Sequence, residues 1–394
     1  MDRIDTDVLV VGGGPAGAIA AEVVADGGGD TILIDKKDDP ARSSACGGLV
    51  SVDAWERLGG RNRAIVNEIR GVLVHPPGGD DFELSSSEVK AYVIDRDRLN
   101  ADLLSRAEDK GVRIRPKTGI FARDGSEVKV RSIDGSRERT ISSSVIIGAD
   151  GPRSDVRRLF DLERPSELIY AIQAEMELEI FSNDYVEVFF GEEVASGFFG
   201  WIIPTTGGKS RVGLGTNDGE KLKQSFNNLL DKVGADYPEE FRTGVIPIGI
   251  PDHSTGGSVI TVGDAAGQVK PTTGGGLYPI SITAELAGKA ALKGLSGMEN
   301  PSDYYYREWM SQVGGELNRE MLLHRILEVV SDENLSRLLR LLNRPNLADW
   351  IADNGDIDHL YPLAKKMAKN PLVMTTILKQ LPGEFASEVK KELT

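Results

Sequence analysis

The chain has 394 residues, about two to three domains' worth, and its 40% hydrophobic and 27% charged residues are ordinary for a globular protein. Lys plus Arg number 46 against 61 Asp plus Glu, a formal net charge of −15, which excludes the basic footprint of a nucleic-acid binder. A single cysteine, Cys46, excludes an internal disulfide and a cysteine-ligated zinc or iron–sulfur site; the four histidines (His75, His253, His324, His359) lack metal-ligand spacing, so they are expected at surfaces or caps and no metal is expected.

The acidic start, Met1 to Asp7, has no basic region and no cleavage site, so secretion is not expected and a cytoplasmic location is. Val8 to Val11 is a continuous apolar run, the pattern of a buried parallel strand. Gly12-Gly13-Gly14-Pro15 then breaks the chain before an Ala-rich helix from Pro15 to Ala25, so the apolar stretch is a strand, a turn and a helix rather than a membrane span. Thr31 to Ile34 predicts a second strand that ends at Asp35, completing a βαβ unit. Between Gly71 and Val93, short alternating runs predict antiparallel strands; Arg96 to Lys110 is an amphipathic helix; Arg113–Arg115 and Val128–Val130 are short strands separated by Asp-Gly turns. Val145–Ile147 and Val259–Val262 repeat the buried-strand pattern, residues 165–250 between them are β-rich, and the chain is helical after Pro271.

Four segments carry chemistry. Gly12, Gly14 and Gly17, with Pro15 and Ala16, form G-x-G-x-x-G between strand and helix: the first glycine makes the tight turn, the second lets backbone approach a pyrophosphate, the third lets helix pack on strand. Asp35, 23 residues after Gly12, is the acid that accepts bonds from an adenosine ribose, with Lys36 beside it at the same end. Asp150-Gly151 and Gly263-Asp264 each end a buried strand, and a simple NAD-binding domain needs neither. Gly274-Gly275-Gly276-Leu277 opens a helix whose positive end would stabilise a negatively charged ring lying on the glycine backbone.

Taken together, these segments resemble the FAD-binding proteins of the para-hydroxybenzoate hydroxylase and glutathione reductase superfamily. That implies FAD as cofactor, with Asp264 on the ribityl chain and Asp150-Gly151 near the pyrophosphate. Ala45-Cys46-Gly47-Gly48, Tyr92 to Asp97, and Phe199-Gly200-Trp201-Ile202-Ile203-Pro204 narrow the resemblance to the geranylgeranyl reductase family, and within it to archaeal enzymes acting on ether lipids. The likeness spans about residues 5–295 and, more loosely, the helical tail. It implies Cys46 and Gly47 close to flavin and substrate, Arg96 on the FAD, and Phe199 and Trp201 lining a lipid cavity. Phe199 replaces the family's motif tyrosine and Ile203 its second aromatic, while Asp35 stands for the commoner Glu.

The expected fold is α/β. A discontinuous Rossmann-like FAD-binding domain (residues 1–65, 93–160 and 253–298) carries an inserted antiparallel-sheet substrate domain (66–92 and 161–252) and a helical C-terminal region (299–394). The expected activity is FAD-dependent reduction of prenyl double bonds, with a prenylated lipid as substrate and either NAD(P)H or a ferredoxin-like protein as electron donor. Lys365, Lys366, Lys369, Lys379, Lys390 and Lys391, among apolar residues from Leu360 to Leu381, suggest peripheral contact with the inner face of a membrane; an amphipathic helix packed on the core gives the same pattern. Rival readings are a flavin monooxygenase, a flavin-dependent halogenase, a reductase of another prenyl substrate such as menaquinone, and a prenyl-binding chaperone like the GDP-dissociation inhibitors. A halogenase needs a lysine close to its substrate, and the sequence gives no position for one.

Overall fold

The computed structural model describes residues 2–42, 45–125 and 127–393. Its largest sheet has eight strands. Asp2–Val11, Thr31–Ile34, Arg113–Arg115, Glu138–Gly148 and Val259–Thr261 run parallel in it, with apolar residues facing both sides, as burial under helices on one face and further chain on the other demands. The first strand starts six residues before the apolar run, because Asp2 to Thr6 pair with Arg139 to Ser143 even though, Ile4 and Ile141 apart, their side chains are polar.

Register aligns the strand ends. Val11 pairs with Ile34 and with Gly148, and Gly148 pairs with Thr261. The residues after these strands therefore leave from one carboxyl edge of the sheet, where open α/β sheets bind ligands. That edge collects Gly12–Gly17, Asp35, Asp150–Gly151 and Gly263–Asp264. Two helices lie beneath it, Pro15–Asp26 and Leu277–Leu295, and their N-cap residues, Gly14 and Gly276, supply no side-chain cap. The free N–H groups of both helices thus face the edge.

A second, seven-stranded sheet contains Gly71–His75, Phe82–Ser85, Glu167–Glu177, Tyr185–Phe189, Gly200–Pro204, Lys209–Thr216 and Arg242–Ile248. The β-rich stretch also contains a helix, Leu222–Val233, which buries Phe226, Leu229 and Leu230 against this sheet. Ala91–Ile94 is an antiparallel strand as expected, and it pairs with Leu49–Ser51 and Ile65–Ile69 in a small three-stranded sheet of its own. Its inward residues Ala91 and Val93, with Ile69, pack on Val186 and Ile203 of the seven-stranded sheet.

Among the described residues, eight α-helices follow Pro271, from Leu277–Leu295 to Gly383–Leu393. Met374, Ile377 and Leu381 of the basic tail are buried against Leu322 and Ile326, whereas Leu372 is 61% exposed. Among the described residues, no helix is long and apolar enough to cross a membrane.

Two of the four histidines correct the expectation of surface or cap positions. His75 is buried, stacked on Phe189 with ring centroids 4.1 Å apart and held at 2.9 Å by both Asp81 and Glu187. His324 is buried 6.2 Å from the Phe198 ring, and its Nε2 lies 3.6 Å from Glu167 and 3.7 Å from Glu328. Tertiary packing covers both rings, which no local pattern announces.

Candidate functional site

At the first turn, Gly12 has φ +107°, and a Cβ there would collide with the Ala149 carbonyl; a Cβ on Gly17 would collide with the Gly12 carbonyl. Around Gly14 there is open space within 4 Å. The turn is thus closed from below by its own backbone and open at its second glycine, the cradle that a pyrophosphate needs. Pro15 occupies the first helical turn, where its missing N–H costs nothing, and Ala16 is buried under it. The Asp35 carboxylate accepts the Gly13 N–H at 2.6 Å and the Lys37 N–H at 2.7 Å, so it is fixed beside the turn.

Lys36 bends away to pair with Asp155. Asp155 opens the short helix after Asp150-Gly151, so the pair ties the second-strand loop to that motif. The Asp150 carboxylate is buried and itself caps the short helix, accepting Ser154 Oγ at 2.5 Å and the N–H groups of Asp155 and Val156 at 2.7 and 3.1 Å. Burial raises its pKa and the three donors oppose the rise. Its side chain therefore shapes the loop, which leaves the Gly151 backbone facing open space.

Asp264 differs. None of the described residues donates a hydrogen bond to its carboxylate. Burial raises its pKa, opposed by the charge of Arg96. Arg96 has a buried Nε without a partner. An acid lacking donors beside a guanidinium that reaches Asn100 through Nη2 but leaves its Nε without an acceptor suits a ligand that brings hydroxyls and further polar atoms between them. Gly276 lies across from Asp264: a Cβ there would come 3.6 Å from Oδ1. Two buried residues hold the Gly263 turn. Gln268 accepts the Gly263 N–H at 2.8 Å and donates at 2.8 Å to the Tyr305 hydroxyl. Arg157, also buried, donates to the Ala265 and Pro152 carbonyls, both at 2.9 Å, and so locks two of the loops together.

The seven-stranded sheet supplies the other wall. Trp201 Nε1 donates to Gln173 Oε1 at 3.1 Å, and Gln173 Nε2 donates to the Cys46 carbonyl at 3.2 Å. Arg211 donates to the Gly47 carbonyl at 2.7 Å. Cys46 itself is exposed, with its sulfur accepting the Gly48 N–H at 3.4 Å. Phe199 stacks on Phe198 at 4.5 Å and meets Trp201 edge-on at 6.0 Å. Phe198 reaches the glycine turn: a Cβ on Gly274 would lie 3.4 Å from its ring tip. The aromatic segment is thereby tied to the Cys46 loop through Gln173 and touches the Gly274–Gly276 turn.

Sequence reasoning missed Lys270, Asp358 and Ser51. Lys270 sits under Gly275, where a Cβ would come 2.9 Å from Lys270 Cε. Its ammonium is buried and donates to Asp358 at 2.5 Å and to the Ile357 carbonyl at 2.6 Å; Ser51 donates to the other oxygen of Asp358. This is the lysine near the site that the sequence did not reveal, and its pairing keeps it from acting as a free amine. An apolar-flanked Lys just before a glycine turn was the available signal. Its partner, 88 residues on, had none.

An FAD binding domain model matches residues 5–242. The digeranylgeranylglycerophospholipid reductase 1 of Methanothermobacter thermautotrophicus is 32% identical, over 85% of this chain and 89% of its own. The crystal structure of a geranylgeranyl bacteriochlorophyll reductase-like protein from Thermoplasma acidophilum superposes with TM-score 0.81 at 21% identity, covering 99% of this chain and 100% of that one. A flavin-dependent brominase superposes with TM-score 0.71 at 15% identity, covering 89% and 93%.

Proposed function

The chain belongs to the geranylgeranyl reductase family of FAD-binding proteins, and from that premise we propose that it saturates the carbon–carbon double bonds of geranylgeranyl chains on archaeal-type ether-lipid precursors. It is an FAD-dependent oxidoreductase. The observation that carries the substrate reading is the aromatic segment Phe198–Trp201, which is linked through Gln173 to the Cys46 loop on one side and packs on the Gly274 turn on the other. An apolar chain can lie along such a wall, since each buried CH₂ contributes about 0.8 kcal/mol.

In this reading Gly12, Gly14, Pro15, Ala16 and Gly17 hold the pyrophosphate with Gly151, while Asp150 shapes the loop that carries Gly151. Asp35 holds the ribose, with Lys36 fixing the neighbouring loop. Arg96, Gly263 and Asp264 hold the ribityl chain, and Gly274, Gly275, Gly276 and Leu277 support the ring. FAD, when bound, supplies a hydride to one alkene carbon. The protein's part is to hold the chain straight, keep water out and provide a proton for the other carbon. Phe199 and Trp201 orient the chain. Cys46 and Gly47 bound the reaction centre, and Gln173 and Arg211 act as positioning residues that fix the Cys46 loop to the sheet. The electron donor in this reading is NAD(P)H or a ferredoxin-like protein, and the basic tail touches the membrane surface from the cytoplasmic side.

The test uses yellow protein reduced anaerobically with dithionite and mixed with a geranylgeranylated glycerol ether lipid. Mass spectrometry should find the lipid heavier by pairs of hydrogens. An unchanged lipid mass with confirmed reduced flavin overturns the substrate reading. Cys46→Ala should lower turnover or alter which bonds are reduced; unchanged turnover and product pattern remove Cys46 from the mechanism.

A further inference from the structure

The turn that supports the ring in this reading carries a carboxyl group with no role so far. Glu320, on the helix Gly315–Val329, is 0% exposed. Its Oε2 accepts the Thr272 hydroxyl at 2.5 Å, and its Oε1 is buried without any partner. Thr272, whose backbone N–H also favours the carboxylate, stands two residues before Gly274, so it joins the carboxyl to the glycine turn. The surrounding charges are few. Lys270, on the chain entering the turn, favours the carboxylate, and Glu316, one helical turn earlier, opposes it. Both are already engaged, Lys270 by Asp358 and Glu316 by Arg319 at 2.7 Å. A carboxylate oxygen buried without a donor is costly, so burial dominates and the group is pushed up to about 7.

We propose that Glu320 takes up a proton when the neighbouring FAD is reduced, so that two-electron reduction of this protein consumes two protons, one on the flavin and one on the Glu320 carboxylate. The two electrons come from the external reductant. FAD with two electrons and one proton carries one net negative charge more than before. That charge, at the turn joined to Glu320 through Thr272, raises the proton affinity of the carboxyl, and an O–H bond forms on Glu320. When the flavin later gives up hydride, the extra charge leaves and Glu320 releases its proton inside the site, where alkene saturation consumes one. The coupling rests on FAD binding and does not require any particular lipid.

The experiment is anaerobic spectroelectrochemistry of the full-length FAD-loaded protein across neutral pH. Each proton taken up per two electrons adds about 30 mV per pH unit to the slope of the midpoint potential. The native protein should pass through a window with a two-proton slope. Glu320→Gln, which keeps an acceptor for Thr272, should remove that window and leave about one proton. Because flavin protonation can itself steepen the slope, a variant that retains the window overturns the proposal, as does a one-proton slope throughout in the native protein. A second readout does not depend on any variant folding. Reduced-minus-oxidised infrared difference spectra of the native protein should gain a protonated-carboxyl C=O band, and its absence overturns the proposal. Colourless protein would instead count against the FAD premise, and lipid mass tests the substrate reading separately.

Discussion

At the Gly12–Gly17 end of the proposed cofactor groove the groups are backbone N–H donors and two carboxylates, Asp35 and Asp150, each fixed by donors, whereas at the Gly274–Gly276 end they are side-chain charges: Lys270, Asp358 and Glu320, all buried, and half-buried Asp264 with Arg96. The first end has an open cradle, with its carboxylates bonded by donors. The second is packed from behind by buried charges, and burial there raises the proton affinity of Glu320 and Asp264. In the proposed reading the difference separates two tasks. Backbone donors hold phosphates with a fixed geometry, at no cost in side-chain ordering. Buried charges tune a group whose own charge changes during the reaction.

The contrast can be broken most severely at the first end. Gly17→Val would drive a side chain into the Gly12 carbonyl, so the purified protein should lack flavin absorbance and unfold at lower temperature. Gly14→Ala should behave differently. It meets no protein atom within 4 Å, so the apoprotein should keep its stability while FAD affinity, measured by titration, falls at least about tenfold through lost pyrophosphate approach.

At the second end, Asp358→Ala leaves the Lys270 ammonium buried without its carboxylate. Urea denaturation should register a loss of about 3–5 kcal/mol.

Glu320 gives the pH test. Its folded pKa, about 7, stands above the ordinary value of 4.5, so the folded state binds the proton more tightly than the unfolded state. The stabilisation is complete below the unfolded value and is lost as pH rises towards the folded one, roughly 3 kcal/mol in all. Denaturation of Glu320→Gln and native protein at acid and alkaline pH should find the native protein losing that stability and the variant spared this component.

The smallest effect belongs to the link between sheet and loop. Trp201→Phe removes the indole donor to Gln173 and should cost about 1 kcal/mol in denaturation, with turnover falling more than stability because the Cys46 loop loses its fixed partner. Equal falls in the two would reduce Trp201 to a packing residue.

The sequence by itself determined the Gly12–Gly17 end. Apolar strands, glycines at fixed spacing and an acid after the second strand are local patterns, and parallel pairing brings their loops to one edge as a matter of register. The aromatic strand and Cys46 were also legible, but only through family resemblance, since neither carries a local physical signature of its own. Tertiary structure alone decided which side chains meet the second glycine turn. Asp358 reaches Lys270 across 88 residues, and Glu320 reaches Thr272 across 48. It alone decided, too, that Asp150 caps a helix and Lys36 pairs with Asp155. It also put Ala91–Ile94 in a separate sheet and buried His75 and His324. The physical reason is common to all of them. A strand or a glycine turn is encoded by neighbours along the chain, but the protonation and partners of a buried charge are set by whatever the folded chain packs around it.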